Sequence, residues 1–274
     1  MKTARSVPVL MYHHVSPSPG LVTVSPENFA AQMRGLAAAG YRTLGADGFA
    51  AFLAGAPVPD KSVLLTFDDG WLDNWVYAQP VLERHGFSAV MFIVSAWVGD
   101  GPCRPQAGEP GAARPATPGH NACKASIAEG NADAVVVRWS EIAAMRAAGS
   151  FEFHSHTHTH VRWDQATADA GEKRRRLAED LAAARATLAD RLGAAGDHLC
   201  WPQGYFDDDY MAVATAAGFR HLYTVLPGAN RPGDPPARIH RIVVKDKGAG
   251  WLLSRLWLYR QPRLADWYAA RRQS

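Results

Sequence analysis

Ser62-Val63-Leu64-Leu65-Thr66-Phe67-Asp68-Asp69-Gly70 is the stretch on which the reading of the chain turns. Residues 62–67 are almost wholly apolar, as expected of a strand covered on both faces of a sheet. The run then ends on two carboxylates and a glycine. Neighbours on a strand point to opposite faces, but Gly70 permits a turn, and a turn can bring both carboxyls to one pocket. A solvated Asp-Asp-Gly turn would carry the same letters. The apolar run in front of it is what favours chemistry.

Outward from this strand, apolar runs alternate with helical patterns. Upstream, residues 7–12 read as a short strand, and Ser25-Pro26-Glu27-Asn28 opens a helix with an N-cap and a proline at its first position. That helix carries Phe29, Met33 and Leu36 on one face and stops at Gly40. Downstream, 74–85 reads as a helix and 88–94 as the next buried strand. Residues 99–133 are rich in Gly, Pro and Ala without periodicity and read as a long insertion loop, a length that leans towards function or disorder. The rhythm resumes with a helix at 140–148, a strand at 151–154 and a long helix over 172–192 with Leu177, Leu181, Leu188 and Leu192 on one stripe. A strand at 198–201, a helix at 208–217 and strands at 221–224 and 239–244 follow. Repeated strand–helix units predict a parallel sheet, and this many of them an α/β barrel, closed or nearly so. In such folds the chemistry gathers at the carboxyl ends of the strands.

Composition narrows the function classes. Apolar residues at 47% and charged residues at 20% are ordinary for a globular domain and exclude a disordered chain. The net charge of +3 is too small for nucleic-acid binding, which would show a basic stripe interleaved with aromatics. Cys103, Cys123 and Cys200 form no metal-spaced pair and no disulfide framework. The first eight residues show no secretory signal, and no apolar run reaches the roughly 18 residues of a membrane span. The expectation is a cytoplasmic protein.

Phe151-Glu152-Phe153-His154-Ser155-His156-Thr157-His158-Thr159-His160 places four of the chain's 11 histidines within seven residues at a strand end. If extended, His156 and His160 would lie roughly 13 Å apart. If the chain turns helically, residues four apart come within roughly 5–6 Å, and both imidazoles can reach one ion. Two histidines, one carboxylate and an open position suit a catalytic divalent metal. His154, within the strand, and His158, on the other side of the turn, are weaker candidates. Met11-Tyr12-His13-His14-Val15 ends the first strand, and a histidine there can protonate a leaving group or pack against the backbone. Cys200-Trp201-Pro202-Gln203-Gly204-Tyr205 ends a later strand and offers an aromatic wall and a backbone N–H for a developing oxyanion, or plain core packing.

Taken together, Thr66-Phe67-Asp68-Asp69-Gly70 and Ser155-His156-Thr157-x-x-His160 resemble the polysaccharide deacetylases of carbohydrate esterase family 4, from the first strand to about Val244. The resemblance implies a distorted (β/α) barrel and removal of an N-acetyl group from an amino sugar in a polysaccharide, lipopolysaccharide or lipid-linked glycan. It implies that Asp69, His156 and His160 hold a divalent metal, zinc by preference, with Co2+, Ni2+ or Fe2+ as alternatives. Asp68 matches the general base. Tyr12-His13-x-Val15 looks like the branch that deacetylates poly-N-acetylglucosamine, and this maps the general acid onto His13, with His14 in reserve. The third motif departs from the family pattern: Cys200 stands where an arginine is usual and Gln203 where a tyrosine is usual, so the base lacks its usual partner. Trp201, Pro202, Gln203 and Tyr205 are the matching substrate-binding positions. The late Leu-x-x-His motif is not evident; Arg238-Ile239-His240-Arg241-Ile242 holds a similar place, and His240 is a further reserve for the acid. An O-acyl esterase or deformylase acting on a sugar, and a non-catalytic carbohydrate-binding protein, are the competing classes.

Residues 1–248 then form the catalytic domain, and 249–274 an amphipathic helical segment. Trp251, Trp257, Tyr259 and Trp267 interleaved with Arg255, Arg260, Arg271 and Arg272 suit either a helix that seals the barrel or one lying on anionic lipid at the inner face of the membrane.

Overall fold

Strand β1 (Val9–Tyr12) is fully buried, as its unbroken apolar sequence requires. A small parallel pair, β2 (His14–Val15) and β3 (Thr23–Val24), follows. Helix α1 (Pro26–Ala38) starts where the Ser25 side chain accepts the N–H of Asn28, and it buries Phe29, Met33 and Leu36. Next come β4 (Arg42–Thr43), α2 (Ala46–Leu53) and the central strand β5 (Ser62–Asp69), every residue of which is buried. A π-helical turn, Asn74–Ala78, leads into α3 (Gln79–His85), then β6 (Ala89–Ile93). Helices α4 (His120–Ala128) and α5 (Trp139–Ala147) precede β7 (Phe151–Ser155). The remaining elements are α6 (Trp163–Ala166), α7 (Ala170–Leu192), β8 (His198–Cys200), α8 (Asp208–Ala216), β9 (His221–Tyr223), β10 (Ile242–Val243), α9 (Ala249–Tyr259) and α10 (Pro262–Gln273). This is a computed structural model that describes residues 2–273; Met1, Ser274 and the side chains of Arg272 and Gln273, and with them the charge expected of Arg272, lie outside the described residues.

The strands form one parallel sheet in the order β10-β1-β5-β6-β7-β8-β9, with β4 beside the start of β5. Its two edges meet through one stretch of chain. Ile239 bridges to Tyr223 of β9, and three residues later Ile242 pairs with Leu10 of β1. The sheet thus curls into a distorted α/β barrel whose seam is a short irregular segment, where the sequence predicts a full strand over 239–244.

Alternation along the strands sets two layers. Val63, Leu65 and Phe67 point outward to a core shared with α1, α3, α5 and α9. Leu64, Val90, Phe92 and Tyr223 point inward, where Phe49, Phe52 and Leu53 of α2 fill the amino-terminal end of the barrel. Neither α2 nor β4 is evident from periodicity; both are short, and α2 is apolar on most sides because it is a plug.

Two expectations are corrected. Residues 99–133 are not a structureless loop, since α4 and a 3-10 turn at Ala132–Ala134 lie within or across that span. The carboxyl-terminal segment is two helices, broken at Gln261 before Pro262, rather than one. Leu252, Leu256 and Tyr259 of α9 are buried, and Gly35 of α1 approaches Ala249 so closely that an added Cβ would sit 2.6 Å from the Ala249 Cβ. Trp257, Leu264 and Trp267 face solvent. Among the described residues, no helix is long and apolar enough to cross a membrane.

Candidate active site

At the carboxyl ends of the strands lies a cavity of about 550 Å³, lined by His13, Asp68, Asp69, Trp71, His156, His160, Trp201 and Gln203 among others. Strand alternation delivers Asp68, which shares the inward parity of Leu64. Asp69 has the outward parity, and it reaches the same cavity because its φ is +76°, a left-handed conformation that costs a non-glycine residue free energy. Thr157, His160 and Gln203 also have positive φ, so the strained residues of the chain gather here.

The histidine segment turns after β7, but not as a helix. The Thr157 N–H bonds to the Ser155 hydroxyl, and the His160 N–H to the Thr157 hydroxyl. Asp180 of α7 takes both the N–H and the hydroxyl of Thr159. The rings of His156 and His160 end up 4.9 Å apart, the convergence expected of a helical turn, achieved by side-chain hydrogen bonds instead. His158 leaves the site to bond Ser95. His154 stays in the strand, beside His198.

Asp69 Oδ1 lies 3.2 Å from His156 Nε2 and 3.4 Å from His160 Nε2. The other carboxylate oxygen accepts the Trp71 indole N–H at 2.9 Å, which fixes the orientation. His156 Nδ1 is 2.8 Å from the carbonyl of Cys200, and a carbonyl only accepts, so Nδ1 carries the proton and a neutral ring keeps its lone pair on Nε2. A lone pair and a carboxylate oxygen at that distance repel unless a proton or a cation lies between them. Two imidazole nitrogens and one carboxylate, with Asp69 and His156 each oriented from behind, therefore fit a divalent cation.

Asp68 has a different environment. Arg241, wholly buried, grips it with two hydrogen bonds, Nη1 to Oδ1 at 2.7 Å and Nη2 to Oδ2 at 2.9 Å. The Cys200 thiol reaches Oδ2 at 3.5 Å and accepts from Arg241 at 3.0 Å. Burial works to raise the carboxyl, but the Arg241 guanidinium, with His13 and His156, outweighs it and holds Asp68 below the usual carboxylate range. The arginine missing at position 200 is thus supplied from position 241, between β9 and β10, a partner that sequence reasoning passed over for its neighbour His240. With both oxygens of Asp68 so occupied, Asp69 is the carboxylate left for a cation.

His13 Nε2 stands 3.7 Å from Asp68 Oδ2. Burial lowers His13 below the ordinary histidine value, with Asp68 and Asp69 pulling the other way. His14 turns away and is buried, its Nδ1 2.6 Å from Asp73 and its ring stacked on Trp71. His240 lies outside the cavity lining, near the Leu226 carbonyl. Trp201 and Gln203 line the cavity, whereas Pro202 and Tyr205 do not; the Tyr205 ring lies under Arg162 and against Tyr210.

Four further lining residues, His120, Lys124, Ile127 and Ala128, come from α4. No periodic signal marks them: α4 buries only Cys123. The sequence did offer one cue, a lone histidine after Pro118-Gly119.

A strand-end carboxylate pair with two converging histidines is the constellation of a hydrolase, and the comparisons agree with it. The model of the polysaccharide deacetylase family matches residues 55–222. The chain belongs to that family. The matched span holds Asp68, Asp69, His156, His160 and Trp201, while His13 and Arg241 lie outside it. A Bacillus subtilis protein named as a polysaccharide deacetylase, YxkH, is 38% identical over 94 residues, 34% of this chain; the match spans about a third of that relative's length, 33%. The solved structure of IcaB from Ammonifex degensii is 26% identical with a TM-score of 0.72, covering 94% of this chain and 97% of that one. A de-N-acetylase from Aggregatibacter actinomycetemcomitans, 21% identical with a TM-score of 0.70 over 91% of this chain and 99% of that one, shares the fold.

Proposed function

We propose that the protein is a metal-dependent hydrolase that removes an N-acetyl group from an amino sugar of a polysaccharide, lipopolysaccharide or lipid-linked glycan. The observation that carries this reading is the division of labour between adjacent carboxylates. Asp69 converges with two histidines, while Asp68, beside it, is clamped by Arg241 and faces His13.

Asp69, His156 and His160 would hold the cation, zinc by preference. When bound, such a cation polarises an acyl carbonyl and acidifies water. Asp68 takes the proton from the attacking water; Arg241 keeps its carboxylate ionised and aimed until then. The backbone N–H of Gln203 is the proposed donor to the acyl oxygen as it gains charge. His13, which lines the same cavity beside Asp68, gives its proton to the departing amine nitrogen. Its depressed affinity for that proton makes it a stronger donor than a solvated imidazolium. Trp201 forms the apolar floor under the sugar.

An acyl panel decides between this reading and its neighbours. The protein reconstituted with zinc is incubated with N-acetylated and O-acetylated amino-sugar oligomers and with N-formylated analogues, and acetate, formate and product masses are followed. Acetate from the N-acetylated oligomers is the expected result. Release from the O-acetylated or N-formylated substrates alone would make the protein an esterase or a deformylase. Oligomer binding without release from any substrate would favour a carbohydrate-binding protein.

A further inference from the structure

Outside the lining of the catalytic cavity, β7, β8 and β9 carry a second group of histidines, His198 and His221 at the first positions of β8 and β9 and His154 in β7. Parallel register sets it up. His198 pairs with His221, and Ser155 with Leu199, which puts His154 beside His198 one residue earlier. The three rings form a row across the inner face of the sheet, His154 to His198 at 4.7 Å and His198 to His221 at 4.4 Å. Asp197, just before β8, completes the group; its backbone carbonyl accepts the N–H groups of Arg220 and His221 and so anchors it at the mouth of the row.

We propose that Asp197, His198 and His221, none of which lines the catalytic cavity, bind a second divalent transition-metal ion. Asp197 Oδ1 lies 3.2 Å from His221 Nδ1 and 3.5 Å from His198 Nε2, and the three donor atoms fall within 4.8 Å of one another. His198 points independently to a ligand. It is 1% exposed, its Nδ1 is engaged with the Tyr223 hydroxyl at 3.0 Å, and its Nε2 has no hydrogen-bond partner. A buried imidazole nitrogen without a partner is costly, and a cation shared with Asp197 and His221 would satisfy it. The Asp197 side chain is 35% exposed, so the site opens to solvent on that side and can be filled without unfolding. Two imidazoles and a carboxylate favour zinc, cobalt, nickel or copper over calcium or magnesium. His154, whose Nδ1 is also unpartnered, stands next to the site as a supporting ring.

The test is a titration of the chelator-stripped full-length chain with Co2+ or Zn2+ alone, counting bound equivalents by elemental analysis after equilibrium dialysis. Two equivalents are expected for the unaltered protein. Asp69→Ala with His160→Ala should retain one, and adding Asp197→Asn to that pair should remove it. Asp197→Asn or His221→Gln alone should retain one and weaken the other roughly tenfold or more. Should either variant fail to give the circular dichroism of the parent, the other decides, Asp197 being partly exposed. If the Asp69→Ala, His160→Ala protein binds no metal, or if Asp197→Asn and His221→Gln leave its binding unchanged, the second site does not exist. The count in the doubly substituted protein is independent of the catalytic reading, so the two can fail separately.

Discussion

The floor and the wall of the cleft are built in different ways. The floor consists of strand ends: Asp68, Asp69 and His156 are almost wholly buried, and each is held from behind by Arg241, Trp71 or a backbone carbonyl. The wall is α4, a nine-residue helix whose buried residue is Cys123 and which sends His120, Lys124 and Ile127 towards the cavity. A floor residue is fixed by sheet register, so its position is over-determined, and losing it should stop the chemistry. A wall residue stands on an insertion with few buried anchors, so its loss should change fit or stability and leave the reaction running.

The sharpest way to break that contrast is within the floor itself. Asp69→Asn should strip the cation and with it the turnover. Asp68→Asn should keep the cation and still lose turnover by roughly a hundredfold or more, the loss expected of a missing general base. Metal content and kcat measured on the same preparations separate the two. Equal metal loss in both variants would merge the roles that the geometry divides.

His13→Ala comes next, with a fall in kcat of roughly a hundredfold or more and unchanged metal content. A general acid must be protonated to act, so activity falls as pH rises through its value and the alkaline limb of the pH–rate profile belongs to it. Because burial lowers His13, that limb should begin below the ordinary histidine range in the free protein. In His13→Ala the limb should disappear. Its survival there, with its loss in His14→Ala or His240→Ala, would move the acid elsewhere.

How much of this the sequence disclosed follows the same division. The apolar run over 62–67 and the two motifs placed Asp68, Asp69, His156 and His160 together, because strand ends in a parallel sheet have few places to go. Arg241 was out of reach. It lies 173 positions from Asp68, in a seam whose two-residue strand has no pattern to read, and only closure of the barrel brings the two together. The turn at 156–160 was foreseen in its effect and missed in its means, since hydroxyl-to-backbone bonds leave no periodic trace. The wall was misread as loop because a short exposed helix with one buried residue lacks an apolar stripe.

Arg241 gives a smaller and more informative perturbation than the catalytic residues. Removing one partner of a buried pair leaves the other charge uncompensated, and Arg241→Met should cost about 3–5 kcal/mol of stability, measured by denaturant unfolding. Arg241→Lys should be milder, yet lose the two-pronged grip. The sign of the pH effect follows from the pairing. Arg241 holds Asp68 below its ordinary value, so the native pair stabilises the fold above the unfolded carboxylate value and loses that contribution as pH falls. In Arg241→Lys the Asp68 carboxyl should rise, and the acid limb of the pH–rate profile should move to higher pH. An unmoved acid limb would mean that some other group holds the base ionised.

The smallest expected effect belongs to the wall. His120 Nδ1 sits 3.1 Å from His14 Nε2, and His14 in turn holds Asp73 through its other nitrogen. With the His14 proton on the Asp73 side, His14 Nε2 accepts and His120 Nδ1 donates. Burial first, and then His14, lower His120 from 6.5 to about 4. The folded state therefore takes up this proton less readily than the unfolded chain. The contribution of His120 to stability is complete above pH 6.5 and is lost as pH falls from there towards about 4. His120→Gln keeps a donor for His14 and removes the titration. At neutral pH the variant should differ from the parent by under about 1 kcal/mol, with kcat nearly unchanged. Between pH 6.5 and about 4 its melting temperature should fall less steeply than the parent's. The ligand histidines and every other acid-sensitive group are common to both proteins, so the difference between the two curves isolates this ring. Parallel curves would show that α4 does not hold His120 neutral. A collapse of kcat in His120→Gln would place the wall in the chemistry alongside the floor.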